Sequence, residues 1–278
     1  MTYRDLSAQA LAEHDYDSFL TELEKSLTDG RRDPNDVVTE TLTQIFLGTS
    51  SINRESLSTP ARAAVHSFDP RNITTEPEYY TDIDSKLYNE RKPFIWLWQM
   101  FDRSPVGINA LFAHRFRRML APLIFKSVGS NFKCWQYVEW SFGYNLTIGN
   151  NVVIHRHVLL DDRGGIDIGD DVSISDYANI YSHSHDVYDI HLVSTPATRI
   201  GNGVRLTYHA TVLAGMQVED HAMVGCNAVV TRPVPSHHIV AGIPAKTVKV
   251  KDDLSELAEV PPPLIEPETS AVTQKLES

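Results

Sequence analysis

The stretch IGDDVSISDYANIYSHSHD, residues 168 to 186, reads as three hexads, each opening on isoleucine, and stops at two histidines, His183 and His185. IGNNVV and IHRHVL precede it at 148 to 159; IGNGVR, LTYHAT, VLAGMQ, VEDHAM, VGCNAV and VTRPVP follow at 200 to 235. Each hexad starts with an aliphatic residue, and the fifth position is mostly small or β-branched, as at Val152, Val172, Ala178, Val204, Ala210, Ala222 and Ala228. A period of six suits short strands joined by tight corners, the first residue filling the interior and the small fifth fitting beside it. Three such strands close a triangular coil, and coils stacked about 4.8 Å apart pair their backbone groups above and below. The pattern predicts a mainly β chain built on a parallel β-helix. An amphipathic α-helix needs apolar residues three and four apart, and a sandwich strand needs alternation over longer runs.

Outside the repeat the periodicity is helical. Leu6, Leu11, Phe19, Leu20, Leu23 and Leu27 fall among polar residues over 4 to 28, with Gly30 as a stop; a second helix is expected from Pro34 to Gly48. Residues 49 to 85, rich in Ser, Thr, Pro and Asn, read as a long surface connection. Helical spacing returns in PFIWLWQMFD and in INALFAHRFRRMLAPLIFK, where Phe112, Phe116, Leu120 and Ile124 recur every four residues. The basic run His114, Arg115, Arg117 and Arg118 suits either a lipid-facing surface or a helix capping a neighbouring core, and the second fits its apolar stripe better. The expected organisation is an α-helical region at 1–128, a β-helix at 129–250 and an acidic, proline-containing tail at 251–278, disordered after about 258.

The 278 residues, 42% hydrophobic and 22% charged, suffice for a buried core. A formal net charge of -11 argues against a phosphate-tracking surface and so against nucleic acid as partner. Two cysteines, Cys134 and Cys226, form no disulfide framework and read as packed thiols in a reducing compartment. The N-terminal residues carry no apolar leader and no segment approaches a membrane span, so the expected setting is cytoplasmic.

Several separated motifs agree in order: LLDD at 159–162, IGDDVSIS at 168–175, YSHSHD at 181–186, VVTRPVP at 229–235 and AGIPAKTVKV at 241–250. Together they make residues 146 to 250 resemble the left-handed β-helix hexapeptide-repeat acyltransferases, within them the maltose, galactoside, nodulation-factor and colanic-acid type O-acetyltransferases. The resemblance implies a homotrimer that carries an acetyl group from acetyl-CoA to a hydroxyl of a small acceptor, a carbohydrate by class, with no metal. His185 matches the family's catalytic base, immediately before the one long interruption of the repeat, which would wall the site. A thioester is already activated, so the alcohol needs only a base as it attacks and a donor for the oxyanion; imidazole, with an ordinary pKa near 6.5, can accept that proton.

His183 competes with His185, since residues two apart on an extended segment share a face. Asp161 and Asp162 match acceptor-binding carboxylates, although a corner aspartate also caps turns. The resemblance puts Tyr208, Cys226, Thr231, Arg232, Lys246 and Lys249 on the CoA side, the first two through backbone atoms and the lysines at the nucleotide phosphates. Arg205 and Thr207 depart from the family's Trp and Gly. His155, Arg156 and His157 stand where the family has an acceptor-binding Asn, which argues against galactoside or maltose as acceptor. Two other classes remain open. One is a zinc β-helix of the γ-class carbonic anhydrase kind, drawing on His155, His157, His183, His185 and His209; the other is a non-catalytic scaffold.

Overall fold

The aliphatic residue that opens each hexad points inward: Ile148, Ile154, Ile168, Ile174, Ile180, Ile200, Leu206, Val212, Val218, Val224 and Val230 are all buried. The computed structural model describes residues 7–49 and 52–251, and over the second half it winds these hexads into a left-handed parallel β-helix of about six turns. Coil one is β1 (Ser127–Val128), β2 (Lys133–Cys134) and β3 (Glu139–Trp140); coil two is β4 (Leu146–Ile148), β5 (Val153–Ile154) and β6 (Leu159–Asp161). Coil three is β7 (Ile166–Ile168), β8 (Ser173–Ile174) and β9 (Asn179–Tyr181), after which β10 (Ser184–His185) and β11 (Val193–Ser194) form an antiparallel excursion. The winding resumes with β12 (Thr198–Ile200), β13 (Arg205–Leu206) and β14 (Thr211–Val212), then β15 (Gln217–Val218), β16 (Met223–Val224) and β17 (Val229–Val230). β18 (His238–Ala241) begins a last turn that β19 (Lys246–Val250) closes by antiparallel pairing. The sheets are A (β1-β4-β7-β12-β15), B (β2-β5-β8-β13-β16-β18-β19) and C (β3-β6-β9-β14-β17).

The fourth residue of a hexad turns the corner in the left-handed backbone region, at φ 56 in Asn151, 57 in His157, 62 in Tyr177, 58 in His209 and 56 in Asn227. Asn, Asp and His tolerate that region better than most residues, so part of the histidine content is corner chemistry. The glycine in IG has a different cause: a Cβ on Gly149 would lie 2.6 Å from the Gly169 backbone of the next coil.

The open end of a β-helix exposes apolar interior and unpaired strand edges, and here helices cover it. These are α1 (Ala10–Thr28), α2 (Pro34–Leu47), α3 (Thr59–His66), α4 (Ser85–Asp102), α5 (Pro105–Ile108) and α6 (Ala110–Ile124). Trp140 of the first coil packs edge-on against Trp98 at 5.2 Å and Phe125 at 5.0 Å, joining helical and solenoid cores. The basic run of α6 is taken up within the chain. Arg117 and Asp102 form a buried pair at 2.6 Å, Arg118 donates to the Phe132 carbonyl, Arg115 binds Glu13 and Asp17, and His114 bonds the Cys134 carbonyl.

Three expectations change. Residues 49–85 are not a plain connection: Ser58 caps α3, a 3-10 turn covers Pro70–Asn72, and Val65, Phe68 and Pro70 are buried. Coil one begins with β1, inside the stretch assigned to the helical region, because Gly129 N already bonds Ile148 O. Cys134 is packed, but Cys226 stands exposed at a corner. Of the expected tail, residues 252–278 lie outside the described residues, as do 1–6.

Candidate active site

Sheet C carries the candidate site along one edge. Its strands end in turn at Trp140, Asp161 and Tyr181, which brings Ser141, Asp161 and His183 together from three successive coils. Asp161 is almost fully buried; it accepts from Ser141 Oγ at 2.9 Å through one oxygen and bonds His183 Nδ1 through the other. Ser182 anchors the turn between β9 and His183: its hydroxyl donates to Asp161 O and accepts from Gly164 N at 2.9 Å.

His185 lies two residues further into the excursion and is exposed, its ring 5.4 Å from that of His183 and nearly perpendicular to it. Its Nδ1 bonds the Ile190 carbonyl at 2.7 Å. A carbonyl oxygen only accepts, so Nδ1 carries a proton and Nε2 of the neutral ring keeps a free lone pair. The excursion holds that geometry with its own turn, in which Asp186 accepts from Tyr188 N at 2.8 Å and Asp189 N at 3.0 Å.

Asp162 requires a correction. The expectation made it an acceptor ligand, yet it is completely buried and its oxygens accept from Phe142 N at 2.7 Å and Asn145 N at 3.2 Å. Burial pushes its carboxyl up to about 7 against those amide bonds, and it serves the turn below the site. His155, Arg156 and His157 follow β5 at the corner between sheets B and C, on the opposite edge of sheet C from His183. There Arg156 binds Asp176 at 2.9 Å, and His157 stacks on Tyr137 and Tyr177. Among the described residues no group of three His, Cys, Asp or Glu is placed to hold a metal ion.

The CoA-side residues fall on three parts of the solenoid. Tyr208 and Cys226 occupy the corner between sheets B and C in consecutive coils, both exposed, with Asn227 N donating to Tyr208 O at 3.0 Å. Thr231 and Arg232 follow β17 at the other edge of sheet C, two coils beyond the turn that bears His183. Lys246 and Lys249 lie on the exposed strand β19, opposite Ala241 and Ile239. Thr207, where the family has glycine, is buried and uses its hydroxyl on Val224 O at 2.8 Å; Arg205 is exposed.

One feature of the site had no sequence signal. A cavity of about 570 Å³ opens between sheet C and the helical region, reaching from Glu139 and Leu159 to Asp161, Tyr181 and His183. Its other wall is Trp96, Gln99 and Arg103 with the segment 73–80.

No protein-family model matches the chain. The galactoside O-acetyltransferase of Escherichia coli K12 is 28% identical over 142 residues, covering 49% of this chain and 70% of that one. The maltose O-acetyltransferase of Clostridium difficile 630 superposes with a TM-score of 0.55 at 24% identity, covering 65% of this chain and 99% of that one. A galactoside acetyltransferase solved in complex with coenzyme A gives 0.52 at 25% identity, covering 64% and 88%. The chain is a left-handed β-helix protein of the hexapeptide-repeat type. It is a homologue of the acetyltransferases that share this fold.

Proposed function

We propose that the protein is an acetyl-CoA-dependent O-acetyltransferase acting on a hydroxyl of a sugar or sugar-like acceptor. The observation that carries this is the bond from His185 Nδ1 to Ile190 O, which leaves Nε2 ready to take a proton at the root of the excursion. As the acceptor oxygen attacks the thioester carbonyl, His185 removes its proton. The Tyr208 amide, which donates to no other described group, supplies a hydrogen bond to the oxyanion. Collapse breaks the carbon–sulfur bond, and the imidazolium returns the proton to the CoA thiolate. Asp161 and His183 hold the acceptor, Lys246 and Lys249 meet the CoA phosphates, and Cys226, Thr231 and Arg232 border the donor groove.

His185 and Tyr208 stand at opposite edges of sheet C in one chain, so a neighbouring subunit completes the site in this proposal. Val187, Tyr188, Ile190 and Leu192 of the excursion are all exposed, which suits a homotrimeric contact. Light scattering should give three times the 31.2 kDa chain mass, and an active monomer would contradict the shared site.

The test is steady-state transfer from acetyl-CoA to a saccharide panel. His185→Ala should lose about a hundred- to ten-thousand-fold in kcat with little change in acetyl-CoA affinity, and His183→Ala should act mainly on acceptor KM. The reverse pattern would move the base to His183.

A further inference from the structure

The cavity over sheet C has two walls of different origin. On the solenoid side, Glu139 and Leu159 form one row, and Ser141, Asp161 and Tyr181 form a second two residues along the strands, about 6.6 Å away. The far wall comes from α4 and its C-cap. Trp96, Gln99 and Arg103 recur at i, i+3 and i+7, one helical face, and are half-buried or exposed, while Ile95, Leu97, Trp98 and Phe101 fill the core. The Trp96 indole is fixed by its bond to Ser67 O at 2.9 Å.

We propose that this cavity is an oligosaccharide subsite in which the helical region selects the acceptor, an inference that rests on the proposed transfer to a sugar hydroxyl. Sugar rings present apolar C–H faces to aromatic rings and hydroxyl edges to planar amide, carboxylate and guanidinium groups. Trp96 and Tyr181 offer the first; Gln99, Arg103, Glu139 and Ser141 offer the second. The volume of about 570 Å³ lies within the range of about 300 to 1,000 Å³ usual for ligand sites, with room for more than one pyranose ring. Charge narrows the class. Glu76, Glu139 and Asp161 outnumber the one cation, Arg103, along the lining, which disfavours sugar phosphates and nucleotide sugars and favours neutral or amino sugars.

The experiment is titration calorimetry without acetyl-CoA, using maltotriose, triacetylchitotriose, glucose and N-acetylglucosamine as probes. The wild-type protein should bind one trisaccharide about ten-fold or more tighter than its monosaccharide. Leu159→Trp, which fills the cavity from sheet C, should reduce that gain to about two-fold or less, with acetyl-CoA binding unchanged. Arg103→Ala removes an exposed side chain that donates to Gln99 O at 2.6 Å, and should weaken the trisaccharide about three- to ten-fold. It keeps the proposal testable if Leu159→Trp misfolds. No gain with either trisaccharide, or a gain both variants retain, would overturn the subsite. Acetyl transfer to a sugar with unaltered variants would leave the enzymatic proposal standing and remove only this one; sugar binding without any transfer would do the opposite.

Discussion

His183 and His185 show how much one residue of spacing decides. Both rings are bonded through Nδ1, one to a carboxylate and one to a backbone carbonyl, so both leave Nε2 free while only their surroundings differ. The motif YSHSHD identified the pair but not that division, because it depends on Asp161, which lies 22 residues earlier. His114 illustrates a purely structural role. Burial pushes its pKa down to about 4, with Arg117, Lys133 and Arg118 adding to the effect. Between pH 6.5 and 4 the unfolded ring therefore binds a proton that the folded ring refuses, and stability from this group falls as pH drops through that window. Asp162 acts oppositely: its raised carboxyl keeps a proton up to about pH 7 in the folded state, so its contribution falls as pH rises. His114→Gln, which retains a donor for Cys134 O, should isolate the first effect. Urea unfolding at pH 7 and pH 4.5 should show the wild-type protein losing about 1–2 kcal/mol more than the variant, after allowance for solvent screening. Equal losses would mean that His114 is protonated in the folded protein.

At the level of elements, the hexads were the most legible part of the sequence, because one interior residue and one small residue every six fix both strand and corner. The α1, α2, α4 and α6 segments were legible from apolar spacing and from Gly48, which ends α2 at φ 67. Segment 49–85 was not, since α3 has eight residues and its signals, Ser58 and Pro60, also occur in loops. The site row Ser141–Asp161–His183 was half legible: LLDD marked the aspartates, but which of them was sealed beneath the turn depended on the backbone amides of 142 and 145. β19 carries the element-scale prediction. All five of its residues are exposed, and Lys246 and Lys249 form no ion pair among the described residues. Replacing both with Ala should raise the KM for acetyl-CoA about ten-fold or more, with kcat and acceptor KM nearly unchanged. An unchanged cofactor KM would take the nucleotide away from this end of the solenoid.

For the molecule as a whole, the helices do two jobs from one position. They cover the open end of the β-helix through Trp98, Phe125 and Trp140, and the same α4 turns its polar face toward sheet C beside Asp161 and His183. Neither job was visible beforehand. Periodicity reports which face of a helix is apolar, but not which distant strand it packs against. Among the described residues no helix is long and apolar enough to cross a membrane. Acetyl transfer to oxygen is tested most directly by mass spectrometry, with the wild-type protein incubated with deuterium-labelled acetyl-CoA and the saccharide it binds best. The expected product is a saccharide ester bearing one labelled acetyl group for each CoA thiol released, and that ester should be lost in His185→Ala. No labelled ester with any hydroxylated saccharide, or CoA release equally fast without one, would contradict acetyl transfer to oxygen.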